Sequence, residues 1–224
     1  MLSLQGDFAR HRAALEAAGA EAVRVTLPEH LEGVDALIIP GGESTTMLRL
    51  IASAGLRAPL EKFVRTKPVM GTCAGAILLG RGSDRLPAPQ LGVLDVEVAR
   101  NAYGRQIDSF HEAVEAPSVG GRFPGVYIRA PRFGRIGRDV EVVARRPGQN
   151  GAAGEPVGVR QGQVVGLTFH PELTDDASFH RWFLGEVAGL LPQQGAPAPE
   201  PRRAGTRGRT PHRARPSGRA GARR

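Results

Sequence analysis

Cysteine is almost absent: the 224-residue sequence holds one, Cys73. No intrachain disulfide is possible, and no all-cysteine metal site can form within one chain, which fits a reducing compartment. Long apolar runs are also missing. The run from Val34 to Pro40 is interrupted by Asp35 and is far too short to cross a bilayer. The first residues carry neither a positive flank nor a signal-like apolar block, and Asp7 and Arg10 follow at once. A soluble cytoplasmic protein without membrane association is expected.

Most of the chain also lacks a nucleic-acid signature. The formal net charge is +8, but residues 192–224 hold nine Arg and one acidic residue, Glu200, and so account for all of it. The remaining 21 basic and 21 acidic residues cancel. The terminal segment is Pro, Gly, Ala and Arg without apolar periodicity, so it cannot bury enough surface to offset its ordering entropy. Residues 192–224 are expected to be a disordered basic tail. It has no aromatic side chain to stack on bases, so weak, salt-sensitive contact with polyanions is the most it supports. A solvated tail without specific function is the simpler reading.

Residues 1–191 suit one α/β domain. Leu2–Leu4, Ala22–Leu27, Val34–Ile39 and Pro68–Thr72 read as strands. Phe8–Ala18, a stretch after Ser44, Leu56–Val64 and Ala74–Leu79 read as helices. This rhythm predicts a three-layer domain with a mostly parallel central sheet and helices on both faces. Further on, Val93–Ala99, Val126–Ile128, Glu141–Ala144, Val157–Arg160 and Val164–Phe169 are strand-like and include a part suited to antiparallel pairing. Gln161-Gly162 suits a tight turn. Ala177–Leu191 is expected to close the fold as one amphipathic helix.

Gly71-Thr72-Cys73-Ala74-Gly75 is the sharpest local pattern. A strand runs straight into a helix with a nucleophile at the turn and glycines two residues either side, the G-x-nucleophile-x-G elbow. The helix start would favour a thiolate on Cys73. The competing reading is an inert buried cysteine between packing glycines. His170-Pro171-Glu172 follows the strand ending at Phe169, where an imidazole can reach a nucleophile at the same sheet edge, with Glu172 as its orienter. Alone it is an ordinary strand-end turn; with the elbow it suggests thiol-based acyl transfer. Pro40-Gly41-Gly42-Glu43-Ser44-Thr45-Thr46 lacks the Gly-Lys-Ser/Thr ending of a phosphate loop. It is better suited to an oxyanion hole built from the N–H groups of Gly42 and Ala74, with Ser44 or Thr45 free to cap the following helix. Arg100 and Arg129 each stand at a strand end, where an amino-acid carboxylate would need a partner, although either alone is as readily surface charge. No second His or Cys lies at ligand spacing from His170, His180 being ten residues on, so neither metal nor cofactor is expected.

Leu4-Gln5-Gly6-Asp7-Phe8, Pro40–Thr46, Gly71–Gly75, Arg100-Asn101, Gly104-Arg105-Gln106-Ile107-Asp108-Ser109-Phe110, Ile128-Arg129-Ala130-Pro131 and Phe169-His170-Pro171-Glu172-Leu173-Thr174 together resemble the glutaminase subunits of pyridoxal 5'-phosphate synthases. These are class I glutamine amidotransferases. The elbow and His-Pro-Glu are shared across that class; the other motifs are more specific to this branch. The resemblance implies hydrolysis of L-glutamine through a thioester on Cys73, with Cys73, His170 and Glu172 as the triad. It further implies glutamine contacts at Gly42, Glu43, Ser44, Arg100, Ile128 and Arg129. Ammonia would pass to a separate barrel-shaped synthase subunit in an assembly of twelve plus twelve, with Gln5 near the oxyanion region and the synthase interface. The chain starts a few residues after the family's usual Gly-Val-Leu, and its Arg/Pro tail has no counterpart there. Two rivals remain at this point: a glutaminase serving another synthase, such as one for histidine or a purine, and a non-catalytic regulatory subunit.

Overall fold

The computed structural model describes residues 1–83, 85–100, 102, 109–148 and 152–191. Asn101, the 104–108 part of the Gly-Arg-Gln motif and the 192–224 segment lie outside the described residues.

Three short strands form the framework of the site: β1 (Leu37–Ile39), β2 (Val69–Thr72) and, much later, β9 (Val164–Leu167). Every residue in them is buried. They read as unbroken apolar runs because both of their faces are covered. Alternate residues serve opposite faces: Leu37, Ile39, Val69 and Val164 join one apolar cluster, while Ile38, Met70, Val165 and Leu167 join the other. The first cluster is closed by α2 (Ser44–Ser53), α3 (Arg57–Thr66) and α4 (Ala74–Leu79), the second by α1 (Phe8–Ala17) and the final helix. In α3, Leu60, Phe63 and Val64 form the buried stripe at i, i+3 and i+4.

β2 lies between β1 and β9 and is parallel to both. Beyond β9 the sheet continues antiparallel through β8 (Pro156–Gln161), β7 (Glu141–Arg145), β4 (Ser109–Ala116) and β5 (Gly121–Ile128), giving seven strands in the order β1-β2-β9-β8-β7-β4-β5. A separate antiparallel pair joins β3 (Val96–Ala99) to β6 (Arg132–Ile136). β5 is an edge strand, a position that tolerates Pro124.

Several expectations need correction. Leu2–Leu4 and Ala22–Leu27 are not full strands: only Leu2 and Val25 form a bridge, with the Leu2 N–H donating to the Ile38 carbonyl at 2.8 Å. Only Val25 is buried within the outer run, Val23 and Leu27 being exposed, so no continuous face holds it to the sheet. The tight turn is centred one residue later, on Gly162 and Gln163, with Gln161 pairing Val164. The final helix is not one regular α-helix. α5 (Ser178–Trp182) passes into a π turn, Phe183–Val187, with Ala188 N–H donating to the Phe183 carbonyl at 2.8 Å. The wider turn buries Leu184 together with Phe183 and Val187. Among the described residues no helix is long and apolar enough to cross a membrane.

Candidate active site

The parallel strands β1, β2 and β9 end at one edge of the sheet, and the chemistry-bearing segments follow those ends. Gly41 and Gly42 come after β1, Cys73 after β2, and His170 three residues after β9. The Cys73 N–H donates to the Leu167 carbonyl at 2.8 Å, and the His170 N–H to the Val126 carbonyl at 2.8 Å, which ties both segments to the sheet.

Cys73 itself is held at φ 47° and ψ −103°, a left-handed conformation that side-chain-bearing residues rarely adopt. The surrounding packing makes this possible. A Cβ on Gly75 would lie 2.1 Å from the Ile39 carbonyl oxygen, so the bare glycine lets α4 press against β1. Cys73 is 6% exposed, and its Sγ lies 4.0 Å from the Ile128 carbonyl oxygen.

The His170 ring occupies the space that a side chain on Gly41 would fill: a Cβ there would meet Cε1 at 2.2 Å. His170 Nδ1 lies 2.7 Å from Glu172 Oε1, which leaves Nε2 for the sulfur. Burial opposes a charge on this imidazole, yet its hydrogen bonds to Cys73 and Glu172, and their charges, push it up to about 10. Burial likewise works against the Glu172 carboxylate, which is 2% exposed, but His11 and His170 hold it far below the usual carboxylate range. Cys73, His170 and Glu172 are thus brought together as one run, His170 hydrogen-bonded to Glu172 on one side and interacting electrostatically with Cys73 on the other.

A cleft of about 310 Å³ opens beside this run. Gly42, Glu43 and Ser44 form one wall, Ile128 and Arg129 another, with Arg100 at the side and Cys73 and His170 at the base. Ala74 is buried directly after Cys73 and does not line the cleft. Arg129 has φ 41° and turns the chain sharply after Ile128. Arg100 reaches Glu43 Oε1 at 3.4 Å and Thr45 Oγ1 at 3.3 Å. Glu43, not Ser44 or Thr45, caps α2: its carboxylate accepts from the N–H groups of Thr45 and Thr46. Although partial burial works the other way, these bonds lower Glu43 to about 2.

Gln5, expected near the oxyanion region, reaches over the glycine loop, its Oε1 accepting from the Glu43 N–H at 2.9 Å, and Asp7 and Leu173 complete the cleft. Sequence reasoning missed one pair of neighbours. Behind Glu172 lie His11 and His180, both fully buried. Their signal was a polar residue at a core-facing position: His11 falls between Phe8 and Leu15 in helical spacing, and His180 lies within the apolar run of the last helix. Among the described residues no group of three or more His, Cys, Asp or Glu gathers as for a metal ion.

A thiol at a strained strand-to-helix turn, an imidazole against it and a carboxylate behind define a class of site suited to acyl transfer through a thioester. Within that class the assignment is specific: residues 1–189 match the SNO glutamine amidotransferase family, and the chain belongs to it. The pyridoxal 5'-phosphate synthase subunit PdxT of Koribacter versatilis is 50% identical over 187 residues, 84% of this chain and 94% of that one. The corresponding subunit of Thermus thermophilus is 49% identical over 193 residues, 85% and 97% of the two chains. Among solved structures, a glutamine amidotransferase aligns with TM-score 0.76 at 49% identity, covering 84% of this chain and 97% of its own. PurLQS from Thermotoga maritima, at 21% identity and TM-score 0.58, covering 83% and 96%, shares the fold.

Proposed function

We propose that this protein is the glutaminase subunit of a pyridoxal 5'-phosphate synthase, releasing ammonia from L-glutamine for a separate synthase subunit. The observation that carries this reading is the run from Cys73 through His170 to Glu172 at the base of a cleft of amino-acid size. Its support from kinship is identity near 50% to curated subunits of that synthase over nearly their full length.

In this reading Arg100 takes the α-carboxylate of glutamine. Gly42, Glu43 and Ser44, with the main chain of Ile128 and Arg129, frame the rest. The sulfur of Cys73, its proton held by His170, bonds to the side-chain amide carbon. The oxyanion forms against the N–H groups of Gly42, which lines the cleft, and of Ala74, which opens α4 directly after Cys73 although its side chain lies outside the cleft lining, each donor contributing roughly 3 kcal/mol of transition-state stabilisation. The C–N bond then breaks as His170 protonates the nitrogen, and ammonia leaves a γ-glutamyl thioester. Water gives a proton to His170, attacks the thioester and releases glutamate, and Cys73 recovers its proton. Glu172 keeps the imidazole oriented throughout by accepting from Nδ1–H.

The protein works in the cytoplasm, docked on its synthase in an assembly of twelve subunits of each kind. Residues 1–191 are the amidotransferase domain, and 192–224 are an Arg/Pro/Gly-rich basic segment. The test is glutamate release from glutamine with and without the synthase subunit. Release that depends on the partner is expected. No release in its presence overturns the proposal.

A further inference from the structure

The run of buried polar groups does not stop at Glu172. The same oxygen that meets His170, Oε1, lies 3.4 Å from His11 Nε2. His11 Nε2 is also 3.2 Å from Thr72 Oγ1, the side chain just before the nucleophile. The other nitrogen of His11, Nδ1, lies 2.9 Å from His180 Nε2. These groups come from α1, β2, the turn after β9 and α5, and all are buried. A buried carboxylate needs compensating donors. Oε2 of Glu172 has no partner among the described residues, so both imidazole contacts, His170 Nδ1 at 2.7 Å and His11 Nε2 at 3.4 Å, fall on Oε1.

We infer that His11 is a positioning residue for the glutaminase reaction: a proton on its Nε2, 3.4 Å from Glu172 Oε1 and 3.2 Å from Thr72 Oγ1, holds the carboxylate that orients His170, while His180 fixes the His11 ring. A bare Nε2 lone pair facing the carboxylate would repel it, which places the proton on Nε2. With one proton between the two rings, His11 Nδ1 then accepts from His180 Nε2–H. The buried His180 Nδ1, which has no partner among the described residues, is left as a lone pair rather than an unmet N–H, the less costly orphan. His180 is suited to this neutral role, since burial is the main cause that lowers it to about 3. The competing arrangement has Nε2 bare and accepting from the Thr72 hydroxyl, leaving Glu172 without its second donor.

This inference rests on the glutaminase reading, and the tests separate the two. Full-length protein assembled with its synthase subunit is assayed for glutamate release as wild type, His11→Met and His11→Gln. Methionine fills the space without an N–H, whereas glutamine restores a donor near the position of Nε2. His11→Met should lower kcat about ten- to a hundredfold, the range expected for losing a hydrogen bond to a charged group, with KM for glutamine nearly unchanged; His11→Gln should recover most of that loss. A His11→Met enzyme with wild-type kcat, or a His11→Gln enzyme as slow as His11→Met, overturns the role. The second measurement needs neither activity nor a folded variant. In the ¹⁵N spectrum of the histidine-labelled wild-type chain, the His11 Nε2 signal should be that of a protonated nitrogen, and an unprotonated Nε2 overturns the assignment. An inactive wild type would count against the glutaminase reading, and the spectrum would still decide the state of His11.

Discussion

The two halves of the sheet handle charge in opposite ways. In the parallel half, around β1, β2 and β9, strands are buried end to end, and the polar side chains gathered behind the site, His170, Glu172, His11 and Thr72, are buried and in contact with one another. The antiparallel half and the β3–β6 pair carry their charges on the outside, as ion pairs such as Arg135 with Asp95 and Arg132 with Glu155. Exposed pairs contribute little to stability and are screened by salt. Buried ones are expensive to break, because the partner is left charged and unpaired. Geometry is therefore tightly held where the reaction is proposed and loosely held elsewhere.

Gly41→Ala should break the contrast most sharply. The new Cβ would fall 2.2 Å from His170 Cε1, so the ring has to leave its place beside Cys73. A displacement of that order should lower glutamate release about a hundredfold or more while the circular dichroism spectrum stays that of the wild type. Next comes pH. His170 titrates near 10 in the folded protein, above its ordinary 6.5, so the stability it contributes is fully present below 6.5 and lost as pH rises through about 10. The Tm advantage of wild type over His170→Gln should shrink by several degrees between about pH 7 and about pH 11, as followed by thermal melts. The smallest effect belongs to the other half. Arg135→Ala removes an exposed partner of Asp95 and Glu97 and should leave both Tm and glutamate release within experimental error.

The same division governs what could be read from sequence. β2 and α4 were legible because a doubly buried strand leaves an uninterrupted apolar run and the elbow glycines mark its end. β4 was not. In Ser109–Ala116 only Val114 and Ala116 are buried, so the strand owes its existence to pairing with β5, not to a hydrophobic pattern. β5 was seen only at its Val126–Ile128 end because Pro124 and Gly125 interrupt it, and β6 was hidden by Arg132, Gly134 and Arg135. The π turn after α5 left no mark, since periodicity does not distinguish it from a continuing helix. Cys73, His170 and Glu172 were identified by residue type and by their places at strand ends. His11 escaped because its partners come from distant parts of the chain, and helical spacing alone shows only that a histidine faces the core.

The most direct test of the account is glutamate release by Cys73→Ala protein assembled with the synthase subunit. If the sulfur carries the glutamyl group, release should fall to background, a loss of at least about 10⁴-fold. A Cys73→Ala complex that hydrolyses glutamine at the wild-type rate would contradict it.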